Sequence, residues 1–168
     1  DRFEMGKSSG ELIVEKINSL LSQKEEIRMI FAAAPSQEET LKYLRKQNNI
    51  DWSRITVFNM DEYIGIESDN PASFGCFLSD RLFKHAHPKE VHLIDGLNDP
   101  ESECVRFSGL LLEKPIDIVL LGLGTNGHIA FNEPLKADFE DKKVVKVIDL
   151  DEVSRQQQVI EHCFSSIG

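Results

Sequence analysis

Basic residues are the scarce class in this chain. Nineteen Lys and Arg stand against 29 Asp and Glu among 168 residues, a net charge of −10. That deficit excludes nucleic acid as the main partner, because phosphate backbones are bound by clustered cations. A small anionic substrate stays open, since a few backbone amides can hold one. Cysteine is sparser still. Cys76, Cys104 and Cys163 show no paired spacing, and nothing in the chain has the length of an apolar membrane span or the look of a secretory leader. The expectation is a cytoplasmic protein with reduced thiols and no membrane contact.

The hydrophobic fraction of 40% suffices for a core, and the length favours one domain over residues 1–168. Both ends are unusual. Asp1 is not an initiator methionine, and Gly168 follows Cys163-Phe164-Ser165-Ser166-Ile167 with no closing helix. The domain is therefore expected to be incomplete at its C-terminus.

Strand and helix signals alternate. Helices are expected from a Ser8–Glu11 capping box to Leu21, from a second box at Ser36 and Glu39 to about Arg45, behind Asn70-Pro71, and behind Asp99-Pro100. Strands are expected over Arg28–Ala34, Arg54–Asn59, Val91–Ile94, Ile116–Leu121 and Val144–Ile148. This pattern predicts an α/β fold, Rossmann-like and three-layered, with a mostly parallel sheet between helices. The ends of Arg54–Asn59 and Ile116–Leu121 are expected side by side.

The densest chemical signal is Gly122-Leu123-Gly124-Thr125-Asn126-Gly127-His128-Ile129-Ala130-Phe131-Asn132-Glu133-Pro134. Its glycines let backbone approach a ligand. His128 and Glu133 then read either as an ordinary loop pair or as a histidine kept basic by a carboxylate. The spacing Gly122-x-Gly124-x-x-Gly127 matches a dinucleotide fingerprint, but that motif should open a helix, and Asn132 and Pro134 interrupt one here. No cofactor is expected.

A second cluster, Asn59-Met60-Asp61-Glu62-Tyr63, also follows a strand. It is either a plain acidic turn or a source of a general base, Asp61, facing His128 across the crevice at the strand ends. Ala32 to Ser36 is either a simple turn or an anion site at a helix start. His85-Ala86-His87 lacks a third ligand, so no metal is expected. Arg155 heads a polar run and could clamp a phosphate.

Phe58-Asn59-Met60-Asp61-Glu62-Tyr63 and the Gly-His-Ile-Ala-Phe-Asn-Glu-Pro string at Gly127–Pro134 closely resemble glucosamine-6-phosphate deaminases. The resemblance extends through Phe74–Leu82 and Val91–Gly96 over most of the chain. Related 6-phosphogluconolactonases share the Gly-His core but usually lack Phe-Asn-Glu-Pro. The resemblance implies cofactor-free conversion of glucosamine 6-phosphate to fructose 6-phosphate and ammonia. It implies Asp61 as the base between C2 and C1, His128 as the ring-opening group, and Glu133 and Asn126 as its tuners. Ser36, Gln37, Gly124 and Arg155 become the substrate-binding set, with a small sugar phosphate as partner and room for a homo-oligomer. Three departures stand against it. Ala34-Pro35-Ser36-Gln37 replaces a glycine-rich phosphate loop, and Pro35 has no N–H. Arg155 aligns only if the segment before it is shortened. The family fold continues beyond Gly168 and supplies a phosphate-binding lysine there. Another sugar-phosphate isomerase or lactonase, or a silent sugar-phosphate binder, are the alternatives.

Overall fold

A computed structural model of the protein describes residues 1–124, 126–134 and 136–160. The chain runs α1 (Arg2–Leu21), β1 (Ile27–Phe31), α2 (Glu38–Arg45), β2 (Ile55–Asn59), α3 (Phe74–Leu78), α4 (Lys84–Ala86), β3 (Glu90–His92), α5 (Pro100–Leu112), β4 (Ile118–Leu120) and α6 (Glu152–Ile160). A five-residue π turn, Ser79–Phe83, joins α3 to α4. The four strands are all parallel, in the order β3-β2-β1-β4.

The period-2 pattern of the strands sorts their side chains onto two faces. Ile27, Met29 and Phe31 of β1 and Ile55 and Val57 of β2 point into one core with Val14, Ile17 and Leu21 of α1 and Leu41 and Leu44 of α2. Glycine permits the α1–α2 contact. A Cβ at Gly10 would lie 2.3 Å from the Tyr43 ring, and one at Gly6 2.4 Å from Glu39 Cβ. On the opposite face Phe58 meets Phe107 of α5 edge-to-face at 5.9 Å. Arg28 is buried there, 4.7 Å over the Phe58 ring. Its guanidinium donates to the Leu110, Leu111 and Lys114 carbonyls at and just beyond the C-terminus of α5. Helices thus cover both faces, as the alternation predicts.

Several element boundaries differ from the sequence expectation. Helix α1 starts six residues before Ser8, because Asp1 and Glu4 form the capping box and leave Ser8 mid-helix. Ser36 does not cap α2. Pro35–Gln37 makes a 3₁₀ turn first, and Glu39 is drawn to Arg2 at 2.6 Å. Asn70 accepts from the Ala72 N–H in a tight turn, and the true cap of α3 is Ser73, which accepts from Cys76. Asp99-Pro100 does open α5. His87 adopts a left-handed conformation and closes α4.

Two larger corrections concern the sheet. The ends of β2 and β4 are not side by side, because β1 lies between them. Strand β1 is buried on both faces and pairs on both edges, the central role its apolar run suits. Val144–Ile148 is not a strand. It joins no described sheet edge and instead lines the cavity over the α5 face. Its β-branched residues favour extended backbone, but a strand also requires a partner.

Among the described residues, no helix is long and apolar enough to cross a membrane. Cys76 and Cys104 are unpaired thiols, and Cys163 lies outside the described residues.

Candidate functional site

The strands end on one common edge, and a cavity of about 590 Å³ opens there. Asp61 and Tyr63 line it from the exit of β2, and Ala130 to Asn132 line it from the glycine loop after β4. Buried Asn59 shapes the β2 exit. Its Oδ1 accepts from Ile94 N at 2.9 Å, and its Nδ2 donates to the Asp61 carbonyl at 3.0 Å.

The two adjacent acids there differ in environment. Glu62 turns away to the start of α3, where its carboxylate accepts from Tyr63 N, Phe74 N, Gly75 N and the Ser73 hydroxyl at 2.7–3.0 Å. Four donors, three of them at a helix N-terminus, fully occupy a carboxylate. Asp61 has no such partners among the described residues. Enclosure by the cavity wall, with the neighbouring Glu62 charge adding, pushes its carboxyl up to about 7. It is thus a carboxyl that gains or loses a proton near neutrality.

The glycine loop is built around the His128 ring. Leu123 and Ile129 form an antiparallel bridge, and Gly124 N donates to the His128 carbonyl at 2.9 Å. This folds the ring back onto Gly124. Gly127 has φ +88°, and Ala130 and Phe131 take consecutive left-handed conformations at φ 51° and 56°. Non-glycine residues held there cost on the order of 1–3 kcal/mol each, a strain usually found where surrounding contacts require it. No helix follows Gly127, so the glycine spacing lacks the helix N-terminus that a dinucleotide site uses.

Buried His128 is held on its Nδ1 side. Ser154 Oγ lies 3.1 Å from Nδ1 and Glu133 Oε2 lies 3.7 Å from it. Its backbone N–H donates to Asn126 Oδ1 at 3.0 Å. Asn126 Nδ2 in turn donates to Glu133 Oε2 at 2.6 Å and to Asp151 Oδ2 at 2.8 Å. Asp151 sits just before α6 and accepts from Ser154 N at 2.8 Å. That backbone bond is the largest influence keeping the Asp151 carboxyl below its usual range, with the Asn126 amide assisting.

The two halves of the site touch through rings. Tyr63 packs on Phe74 at 4.6 Å, Phe74 on Phe131 at 6.1 Å, and Phe131 on His128 at 5.1 Å. Helix α6 ties them again, because Gln158 accepts from the Tyr63 hydroxyl one turn after Ser154 meets His128. The structure therefore brings Asp61, Asn126, His128, Glu133 and Gly124 to one edge of the sheet.

Ser36 and Gln37 lie in the turn after β1. Ser36 is exposed, and the Gln37 N–H already donates to the Ala34 carbonyl at 2.9 Å. That amide is not free for an anion as the sequence suggested, because the 3₁₀ turn consumes it. Arg155 projects from α6 into solvent and has no ion-pair partner among the described residues. Among the described residues no group of three or more His, Cys, Asp or Glu side chains could hold a metal ion.

Sequence reasoning missed Asp151, Ser154 and Gln158. The Asp-x-x-Ser spacing at 151–154 is a helix-start signal that was available. That the same serine reaches His128 was not.

Comparison with known proteins agrees with the fold and the motifs. The profile of the family described as glucosamine-6-phosphate isomerases/6-phosphogluconolactonase matches residues 1–158. A glucosamine-6-phosphate deaminase of Listeria innocua is 38% identical over 147 residues, covering 83% of this chain and 63% of the relative. One from Lactobacillus delbrueckii subsp. bulgaricus is 35% identical over 132 residues, covering 78% and 54%. The chain thus spans less than two thirds of the length of these relatives. A solved monomeric glucosamine-6-phosphate deaminase superposes with TM-score 0.85 at 30% identity, over 99% of this chain and 68% of that one. A 6-phosphogluconolactonase from Shewanella baltica has the same fold, with TM-score 0.70 at 18% identity over 77% and 56%.

Proposed function

Because the chain belongs to the family of glucosamine-6-phosphate isomerases and 6-phosphogluconolactonases, we propose that it carries the site of a glucosamine-6-phosphate deaminase. The substrate is an amino-sugar phosphate, and the products are a ketose phosphate and ammonia. The observation that carries this reading is Asp61. It is a carboxyl raised to about 7, free of hydrogen-bond partners among the described residues, on the wall of a cavity shared with the His128 loop. Moving a proton from C2 to C1 of a sugar needs a base of that kind, poised near neutral pH and shielded from water.

In this reading His128 takes the proton from the C1 hydroxyl as the sugar ring opens and delivers it to the ring oxygen. Asn126 and Glu133 hold His128 in place, and Gly124 admits it. Asp61 then removes the C2 proton and returns it at C1 while an amine proton passes to the C1 oxygen, and water hydrolyses the resulting C2 imine to the ketone and ammonia. No cofactor enters this sequence. Ser36 and Gln37 are assigned to the phosphate end through their side chains, with Arg155 as the counter-charge. The cytosol, where sugar phosphates occur, is the compartment this reading assigns.

The test is release of ammonia from glucosamine 6-phosphate by the protein, with solvent exchange of the C2 hydrogen followed by NMR. Turnover of 6-phosphogluconolactone instead would select the lactonase reading. Thermal stabilisation by the sugar phosphate with no turnover would select a silent binder.

A further inference from the structure

Ser154 and Asp151 are absent from the chemistry just described, yet their polar atoms face His128 or the groups that hold it. Ser154 is 1% exposed. A hydroxyl buried that deeply needs partners, and the imidazole is one of them. The direction of the Ser154–His128 bond follows from the groups around it. Asn126 has two amide hydrogens, and its short contacts are to Glu133 and Asp151, at 2.6 and 2.8 Å. Its contact to Ser154 Oγ is long, at 3.4 Å. The Ser154 lone pairs therefore remain open to another donor. Asp151 accepts from the Ser154 backbone N–H at 2.8 Å, which sets its charge beside the serine. A serine oxygen with open lone pairs can accept from the ring. The charges agree. Glu133 and Asp151 both lie on the Nδ1 side of the ring, and negative charge there favours the hydrogen on Nδ1.

We infer that Asp151 and Ser154 are positioning residues that fix His128 as its Nδ1–H tautomer, leaving the Nε2 lone pair free to accept a proton. This rests on the deaminase reading only for its catalytic consequence; the tautomer is a property of the resting protein. Nε2 faces Gly124, where a Cβ would lie 2.2 Å from it. Helix α6 carries the device, and Gln158 on the same helix binds Tyr63, two residues beyond Asp61.

The experiment is ¹⁵N NMR of histidine-labelled protein without substrate, at a pH where His128 is neutral. Wild type should show a protonated Nδ1 and an unprotonated Nε2. Ser154→Ala should shift the signal toward the other tautomer or a mixture, and Ser154→Thr, which keeps the hydroxyl, should restore it. Asp151→Asn, which removes a charge from that side but keeps the Ser154 hydroxyl, should produce a smaller shift than Ser154→Ala. Turnover of Ser154→Ala should fall about tenfold with KM little changed, less than the 10²–10⁴ of losing an acid–base group outright. A protonated Nε2 in wild type overturns the inference, and needs no variant to fold. An unchanged spectrum in folded Ser154→Ala overturns it as well. Absence of ammonia release with the wild-type tautomer as stated overturns the deaminase reading alone.

Discussion

Gly124 and His128 stand so close that no side chain fits at position 124: a Cβ there would lie 2.1 Å from His128 Cε1. The ring is held from its other side by Ser154 and flanked by Phe131, so it has no easy way to yield. Gly124→Ala should therefore displace the imidazole. Overpacking of this kind costs about 1–3 kcal/mol. The expected outcome is a lower Tm and a loss of turnover larger than that of Ser154→Ala. Wild-type turnover in Gly124→Ala would show that the ring position does not matter to the reaction.

Asp61→Asn keeps the shape of the side chain and removes its basic oxygen. Turnover should fall about 10²–10⁴-fold, with binding of the sugar phosphate largely kept. Exchange of the substrate C2 hydrogen should vanish with it. Near-normal exchange in this variant would remove Asp61 from the role of base.

The same variant has a stability signature. The Asp61 carboxyl titrates near 3.8 when unperturbed and is raised to about 7 in the fold. The folded state then holds the proton more tightly than the unfolded one, so stability falls as pH rises from about 4 to about 7 and stays lowered above that. Asparagine removes this penalty. Asp61→Asn should match wild type in Tm at pH 4 and exceed it at pH 8, by calorimetry. Turnover of wild type should climb through pH 7 over the same range, because the base must be ionised. Equal Tm values at both pH values would mean that the carboxyl is not raised.

Glu62→Gln acts on the fold instead. The carboxylate accepts from three backbone N–H groups and the Ser73 hydroxyl. A glutamine offers one oxygen and turns two donors toward other donors. The expected loss is about 1–3 kcal/mol, read by urea unfolding, with a smaller effect on turnover of the folded fraction than Asp61→Asn. An unaltered unfolding midpoint would contradict the anchoring role.

The glycine loop should not bind nicotinamide nucleotides. It runs into turns and antiparallel bridges rather than a helix, so it lacks the amides and dipole that hold a pyrophosphate. Calorimetry with NAD should show no saturable heat; a micromolar dissociation constant would refute this.

Much of this protein is legible in its sequence. Alternating apolar periods announce a parallel sheet between helices, because strand and helix bury side chains at different spacings. Asp99-Pro100 announces α5, because a capping carboxylate and a fixed φ act locally. The string around His128 marks its own turn, since Gly124 leaves room for a ring four residues on and Gly127 takes a positive φ. What the sequence leaves undecided is non-local. Strand order is one case: β1 separates β2 from β4 through pairings that no short window contains. The fate of Val144–Ile148 is another, since an extended run becomes a strand only if an edge is offered to it. The difference between Asp61 and Glu62 is a third. They are neighbours with the same chemistry, and one meets a distant helix terminus while the other faces a cavity. The link from Ser154 to His128 spans 26 residues of chain. Local sterics and periodicity are properties of sequence; burial, charge neighbours and the partner of a hydroxyl exist only once remote segments have packed.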